Sequence, residues 1–411
     1  MLTVEEAQKE ILNFQTTNSP TKSPLLECGQ QVLSDNIYSP HDMPLFSSSA
    51  MDGYAVRIED LSEASSQNPI QLKVVDDIWA GKTDLKPINT GECSRIMTGA
   101  MIPENSNAVV MQENVEVLNG NIVVNKPLRL FENIRTQGEE LKRDQLALER
   151  GHILNSASLG FLASLGFSEV PVYSKPKVTI ISTGTELVPP GHKLGTGQIY
   201  ESNSIALQSA LKNMQINAEI IGPLKDEKDL IFKSVSKALN ESTHLILCGG
   251  VSVGDYDLNK GILADCQVTS HFWKVAQKPG KPFFFGSKEK TLVFGVPGNP
   301  ASSLVCFYNY IRPALLQSLG YSDQALFLHQ EKAKFTDNLS AKKPGRTYFE
   351  RAHAFLKNDQ LFVSLTGKQG SHMMQSFSMA NCLLQIKGNE EIKKDALVTI
   401  HWLPDAKGGR L

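Results

Sequence analysis

Apolar residues open the chain at helical spacing: Val4, Ala7, Ile11, Leu12 and Phe14 predict an amphipathic helix, after which the chain turns Pro- and Ser-rich to about residue 45. From about 46 to 145 the texture is β. Val115-Glu-Val-Leu and Asn121-Ile-Val-Val flank Asn119-Gly120, a pair suited to a type I′ turn, and so predict a hairpin. Residues 146–175 hold a predicted helix, Ser156 to Leu165, ending at Gly166 as a C-cap, then the strand-like VPVYS. That stretch has no core of its own. If it rejoins residues 1–45 in space, the β segment between them is an inserted domain.

From about 176 to 326 strands and helices alternate. Strands are predicted at 177–182, 217–222, 244–248 and 291–296, with helices from Ser204 to about Met214, from about Lys228 to Leu239 and from Pro300 to about Leu319. Such alternation implies a parallel, doubly wound sheet covered on both faces. Asn299 as N-cap with Pro300 at the first helical position suits the last helix. The remaining residues, 327–411, return to short strands with turn signals such as Asn358-Asp359 and predict a small β-barrel. The fold class expected is therefore α/β and β multidomain: an elongated linking part (1–45 plus 146–175), an inserted β domain (46–145), a central doubly wound α/β domain (176–326) and the barrel.

Composition narrows the partners. The 411 residues carry 41 basic against 43 acidic side chains, a net charge of −2, so neither nucleic acid nor a polybasic membrane contact is expected. Any anion site must be local. The first residues lack the basic and apolar regions of a signal peptide, and no apolar run approaches the roughly 18 residues that cross a bilayer. Six scattered cysteines without a CxxC pair, in apolar contexts such as LILC, read as buried reduced thiols of a cytoplasmic protein. Nine histidines form no HExxH, so a zinc site is not expected.

The informative feature is where the glycines fall. Three strands of the α/β part end in loops rich in Gly, hydroxyls and carboxylates: Ser182-Thr183-Gly184-Thr185-Glu186, then Gly249-Gly250-Val251-Ser252-Val253-Gly254-Asp255-Tyr256-Asp257, then Pro297-Gly298-Asn299-Pro300. Ligands of open α/β sheets bind at the carboxyl ends of strands, where small residues let the backbone approach phosphate. A single loop of this kind would be only a tight turn; three on one edge favour a phosphate or pterin site. Lys274, Lys278 and Lys281, around a Pro-Gly turn, either fix cations beside an anion or form a solvated loop. Glu186 and Asp257, beside glycines, are oxygen donors suited to Mg²⁺, whereas Asp226 opens a helical run and reads alone as its N-cap. Walker A, dinucleotide-binding GxGxxG, kinase and GxSxG motifs are absent.

Taken together, SAMDGYAVR, RIMTGAMIP with NAVVMQE, ISTGTEL, GGVSVGDYD, KPGKP, VPGNPAS, GRTYFER and GSHMMQSFS resemble the molybdopterin molybdenumtransferase family, related to the C-terminal part of gephyrin. The pieces span nearly the whole chain in the family's order. The resemblance implies an α/β domain shared with molybdopterin adenylyltransferases, and a homodimer whose cleft is reached by both subunits. It implies a Mg²⁺-dependent reaction in which adenylylated molybdopterin and molybdate give molybdenum cofactor and AMP.

By the same resemblance the catalytic residues are Asp52, Thr98, Glu186, Asp257, Lys274 and Lys278, with Glu186 and Asp257 as the Mg²⁺ ligands. Substrate would be bound by Glu140, Gly184, Thr185, Asp226, Gly249, Gly250, Ser252, Gly254, Pro297, Gly298, Asn299, Arg351 and Ser371. Glu140 departs from the family, which often has Asp there. Molybdopterin adenylyltransferase and molybdoenzyme-maturation proteins are the expected protein partners. Two other readings stand beside this one: a nucleotide enzyme sharing only the α/β domain, and a non-enzymatic scaffold like gephyrin. The flanking β domains oppose the first, and the lack of extra partner domains opposes the second.

Overall fold

The computed structural model describes residues 1–250 and 258–404. They divide into two compact units, one of residues 35–152 and 156–169, the other of residues 1–34, 153–155 and 170 onward. Among the described residues no helix is long and apolar enough to cross a membrane.

The smaller unit is built on a six-stranded sheet of β1 (Gly53–Val56), β2 (Ile70–Ile78), β3 (Glu92–Ile96), β4 (Ala108–Met111), β5 (Val115–Leu118) and β6 (Asn121–Val124). The order is β4-β1-β3-β2-β6-β5, antiparallel except between β2 and β3. The β5–β6 hairpin turns on Asn119 and Gly120, both at positive φ (50° and 78°), as the Asn-Gly pair predicts. Tyr54, Val56, Leu72, Cys93, Val110 and Ile122 form its core. The helix Ser156–Ser164 ends as expected at Gly166 (φ 85°), and the Phe167 N–H closes the cap on Leu162 O at 3.1 Å.

In the larger unit, β7 (Val178–Thr183), β8 (Ala218–Leu224), β9 (His244–Cys248), β10 (Thr269–Lys274), β12 (Pro282–Lys288) and β13 (Thr291–Val296) make the central sheet, and β11 (Gln277–Lys278) lies outside it. The order is β8-β7-β9-β13-β12-β10. Side chains alternate between two cores. Ile180, Ile246 and Phe294 pack with Leu207, Leu211, Phe307 and Tyr310 on one face; Ile181, Leu245, Leu247 and Val293 pack with Ile231 and Val235 on the other. Burial on both faces is what a doubly wound sheet requires.

The sheet is not wholly parallel, as the alternation implied. β12 runs against all its neighbours, because it joins β13 through two residues, Glu289 (φ 51°) and Lys290, a link too short for a parallel crossover. β10 is antiparallel to β12 and therefore points the same way as β13.

The first helix, Val4–Phe14, starts at a capping box in which the Thr3 hydroxyl and the Glu6 carboxylate each accept from the other residue's N–H. It places Val4, Ala7 and Ile11 in the larger unit's core. Residues 1–45 and 146–175 do meet, through bridges Val32–Ile153 and Leu33–Val172 and through the pairing of Ile37–Tyr38 with Leu146–Leu148.

The C-terminal strands β14 (Gln330–Phe335), β15 (Thr347–Lys357), β16 (Gln360–Leu365), β17 (Cys382–Lys387) and β18 (Leu397–Trp402) close into a five-stranded barrel, since β15 pairs with both β16 and β17. Asn358 and Asp359, both at positive φ, make the β15–β16 turn. All six cysteines are buried and unpaired.

Gly53 explains one glycine of the SAMDGYAV segment. A Cβ at this position would stand 2.0 Å from Val110 O, on the neighbouring strand β4. Gly53→Ala is expected to force β1 and β4 apart and to destabilise the smaller unit by about 1–3 kcal/mol, the usual cost of overpacking. A thermal or urea unfolding curve checks this, and an unchanged midpoint would show that the strands yield freely.

Candidate active site

β7, β9 and β13 are neighbours, so their three glycine-bearing exits lie side by side on one edge of the sheet. At Gly249 (φ 87°) a Cβ would be 2.8 Å from Thr183 O, and at Gly298 it would be 3.9 Å from the Gly249 Cα. The Gly249 N–H donates to Val296 O at 3.2 Å. Gly250 also has positive φ (61°), and the exposed Gly298 and Asn299 follow the buried Pro297. At Gly249 the loops approach backbone to backbone, and the exposed Gly250 and Gly298 share the rim with the exposed side chains of Thr185, Glu186 and Asn299. Ser252, Gly254 and Asp257 lie outside the described residues.

The Gly184 N–H is held by Leu224 O at 2.9 Å, and next to it Thr185 is clamped. Its N–H and hydroxyl donate to the Asp226 carboxylate at 3.0 and 3.1 Å, and the Asp226 N–H returns a bond of 3.2 Å to the hydroxyl. Asp226 is therefore not a helix N-cap. That place before Lys228–Glu241 is taken by Glu227, which makes no side-chain capping bond. Asn299 does occupy the cap position before Pro300, though its side chain makes no capping bond. Glu186 is exposed on the same loop. Among the described residues no three His, Cys, Asp or Glu side chains come together as a metal-binding group.

Because β10 points the same way as β13, Lys274 at its end emerges on the same edge of the sheet as the glycine loops. Lys274 and Lys278 are both exposed, but the backbone between them is not free. Gln277 is fully buried; its amide accepts from the Tyr310 hydroxyl at 2.5 Å and donates to Gly280 O at 3.2 Å. At Gly280 (φ 86°) a Cβ would be 2.6 Å from both Cys306 Sγ and Gln277 Nε2. Tyr310 sits in a single π-turn, Phe307–Ile311, within the long helix that begins at Pro300. Sequence reading missed Gln277 and Tyr310, which are 33 residues apart and carry no local signal.

β11 pairs with β15 of the barrel, Lys278 opposite Tyr348, and a cleft of about 450 Å³ opens there. Lys278, Pro279, Lys342, Glu350, Gln369, Gly370, Ser371 and His372 line it. Ser371 O accepts from the Ala301 N–H at 3.1 Å, which ties this cleft to the β13 exit. Arg351 is fully buried, and burial pulls its pKa down. Its guanidinium donates to Gly370 O at 2.9 Å, Lys368 O at 3.3 Å and Ser376 Oγ at 3.2 Å, while Nη1 is buried with no hydrogen-bond partner among the described residues. Arg351 thus shapes the loop that carries Ser371 and keeps donors in reserve. Lys342 and Glu350 are lining residues that sequence reading passed over.

The smaller unit brings Asp52 and Thr98 together. The Asp52 carboxylate accepts from the Thr98 N–H at 2.8 Å and its hydroxyl at 2.7 Å, and these two bonds hold its pKa below the usual carboxylate value. Glu140 is exposed, with its N–H on Met43 O at 3.0 Å.

Three family models match the chain in succession: the MoeA N-terminal region (domain I and II) over residues 2–166, a probable molybdopterin binding domain over 179–317, and the MoeA C-terminal region (domain IV) over 332–403. A molybdopterin molybdenumtransferase of Haemophilus influenzae is 37% identical over 95% of this chain and 96% of its own. A molybdopterin molybdenumtransferase 2 of Mycobacterium tuberculosis is 34% identical over 94% and 95%. The crystal structure of a molybdopterin biosynthesis MoeA protein from Pyrococcus horikoshii superposes with a TM-score of 0.80 at 30% identity, covering 98% of this chain and all of that one. With its glycine-bearing sheet edge, its paired lysines and this likeness along its full length, the chain belongs to the MoeA family of molybdopterin molybdenumtransferases.

Proposed function

We propose that the protein inserts molybdenum into molybdopterin: adenylylated molybdopterin and molybdate enter, and molybdenum cofactor and AMP leave. The observation that carries this reading is the cleft lined by Lys278 and Ser371, whose wall at Gly370 is held from behind by the buried Arg351 and which Ser371 O ties to the Ala301 N–H after the β13 exit. Both substrates are anions, so their approach is opposed by charge. Lys274, Lys278 and Arg351 offset that repulsion, and fixed donors act without reorganising when charge develops. The exposed Gly250 and Gly298 let phosphate approach the backbone closely, on a rim whose Gly184 and Gly249 N–H groups are already bonded to Leu224 O and Val296 O, and Thr185 is held beside them by Asp226. Much of the rate enhancement is then positioning.

Mg²⁺ is the ion this reading calls for: Glu186 presents an exposed carboxylate on this rim, and Asp257, the other expected ligand, lies outside the described residues. When bound, the ion neutralises phosphoryl oxygens as the adenylyl linkage is cleaved. Asp52, whose carboxylate accepts from Thr98, and Glu140 are further proposed site residues, both carried by the smaller unit. The working form is a cytoplasmic homodimer, with residues 1–45 and 146–175 as its linking and dimerisation element. Molybdopterin adenylyltransferase and molybdoenzyme-maturation proteins stand before and after it.

Incubating the protein with adenylylated molybdopterin, Mg²⁺ and molybdate should release AMP only when all three are present; release independent of molybdate would overturn the reading. Asp257→Ala is expected to slow that release by roughly a hundredfold, as loss of a key electrostatic group does, without lowering thermal stability. Normal turnover would remove Asp257 from the site.

Changing Lys274 and Lys278 together to Gln should raise the half-saturating molybdate concentration, more so at high salt, where the remaining cations are screened. The unfolding midpoint should hardly move, since exposed lysines contribute about 0–1 kcal/mol. A molybdate titration at low and high ionic strength decides between this and a merely solvated loop.

A further inference from the structure

The cleft contains one group that an anion site should avoid. Glu350 lies on β15 beside Arg351, is 5% exposed, and lines the same cleft as Lys278. A carboxylate there repels an incoming dianion unless something neutralises it. Lys342 does so, its ammonium bonded to Glu350 Oε1.

Lys342 is not an ordinary solvated lysine. Its side chain is 22% exposed, and the ammonium also stands 5.2 Å from the centre of the Tyr348 ring. Its carbonyl accepts from the Asn389 N–H at 2.9 Å. The following segment is pressed against Gly388, where a Cβ would lie 2.4 Å from Lys343 O. Backbone and ammonium are therefore fixed before any ligand arrives. An ammonium has three donors, and one goes to Glu350. A purely structural ion pair would need no place in the cleft wall, yet both partners line it.

We propose that Lys342 is a further oxyanion-binding residue of this cleft, and that Glu350 tempers its charge so that the bound oxyanion is held without being trapped. The proposal rests on reading the cleft as the molybdate site. It requires the two members of the pair to act in opposite directions on the same ligand. Removing the lysine withdraws a donor and leaves an uncompensated negative charge. Removing the carboxylate's charge leaves the full ammonium facing the anion.

The test is a molybdate titration of AMP release by the full chain with saturating adenylylated molybdopterin, accompanied by thermal unfolding of each variant. Lys342→Gln should raise the half-saturating molybdate concentration about tenfold or more, as loss of a charge-assisted hydrogen bond does, with a much smaller change in kcat. Glu350→Gln should lower it. The double variant Lys342→Gln with Glu350→Gln keeps a neutral pair of similar shape and should still show the raised value, which covers the case in which Lys342→Gln alone fails to fold. Unchanged half-saturation in the double variant, or a raised value in Glu350→Gln, overturns the proposal. Lys278→Gln is the control. If it too leaves half-saturation unchanged, the reading of the cleft itself fails; if it alone raises the value, the cleft stands and the role of Lys342 falls.

Discussion

The candidate site depends on a steric constraint: the exits of the neighbouring parallel strands β7 and β9 pass so closely that no side chain fits between them at Gly249. At Gly249 a Cβ would collide with Thr183 O, whereas one at Gly298 would stand in ordinary contact, 3.9 Å from the Gly249 Cα. Beside that approach Gly250 and Gly298 are exposed, so backbone as well as the side chains of Thr185, Glu186 and Asn299 faces outward, a surface suited to phosphate. The paired Asp226 and Thr185 then fix the outer wall, and the returning strand β10 delivers Lys274 to the same edge. Remove the crowding and the polar groups around it have nothing to surround.

Much of this could be read from the chain. The strands His244–Cys248 and Thr291–Val296 are short, wholly buried apolar runs, and each is followed at once by glycine or proline-glycine, so their ends are marked locally. Asn119-Gly120 and Asn358-Asp359 mark hairpins because both residues of each pair tolerate positive φ. By contrast, the turn between β12 and β13 uses Glu289 and Lys290, which carry no turn signature, and the antiparallel strand was missed with it. The reading of Asp226 alone as a helix N-cap fails for a related reason, while its place among the expected substrate-binding residues is a separate matter. Its partner Thr185 lies 41 residues earlier, and only the pairing of β7 with β8 brings the two together.

The same distinction runs through the cation loop. Lysines 274 and 278 are visible in the sequence, but what fixes the backbone between them is buried and remote. Gln277 faces inward between them and reaches a tyrosine that a π-turn, itself without sequence signature, swings into place. Asp52 is a milder case. Its carboxylate depends on Thr98, and the close approach of β1 to β4 at Gly53 sets where that carboxylate begins.

The two-residue strand Gln277–Lys278 is hydrogen-bonded to the barrel strand at Thr347 and Tyr348, while its own glutamine is anchored in the α/β core. A linkage so short has no slack. Mechanically it is a rigid tie-rod, and a tilt of the barrel by even a small angle must re-aim the lysine rather than be absorbed by loose chain. Movement of the barrel strand would therefore be passed directly to Lys278, the charge that the proposed function sets before the incoming anion.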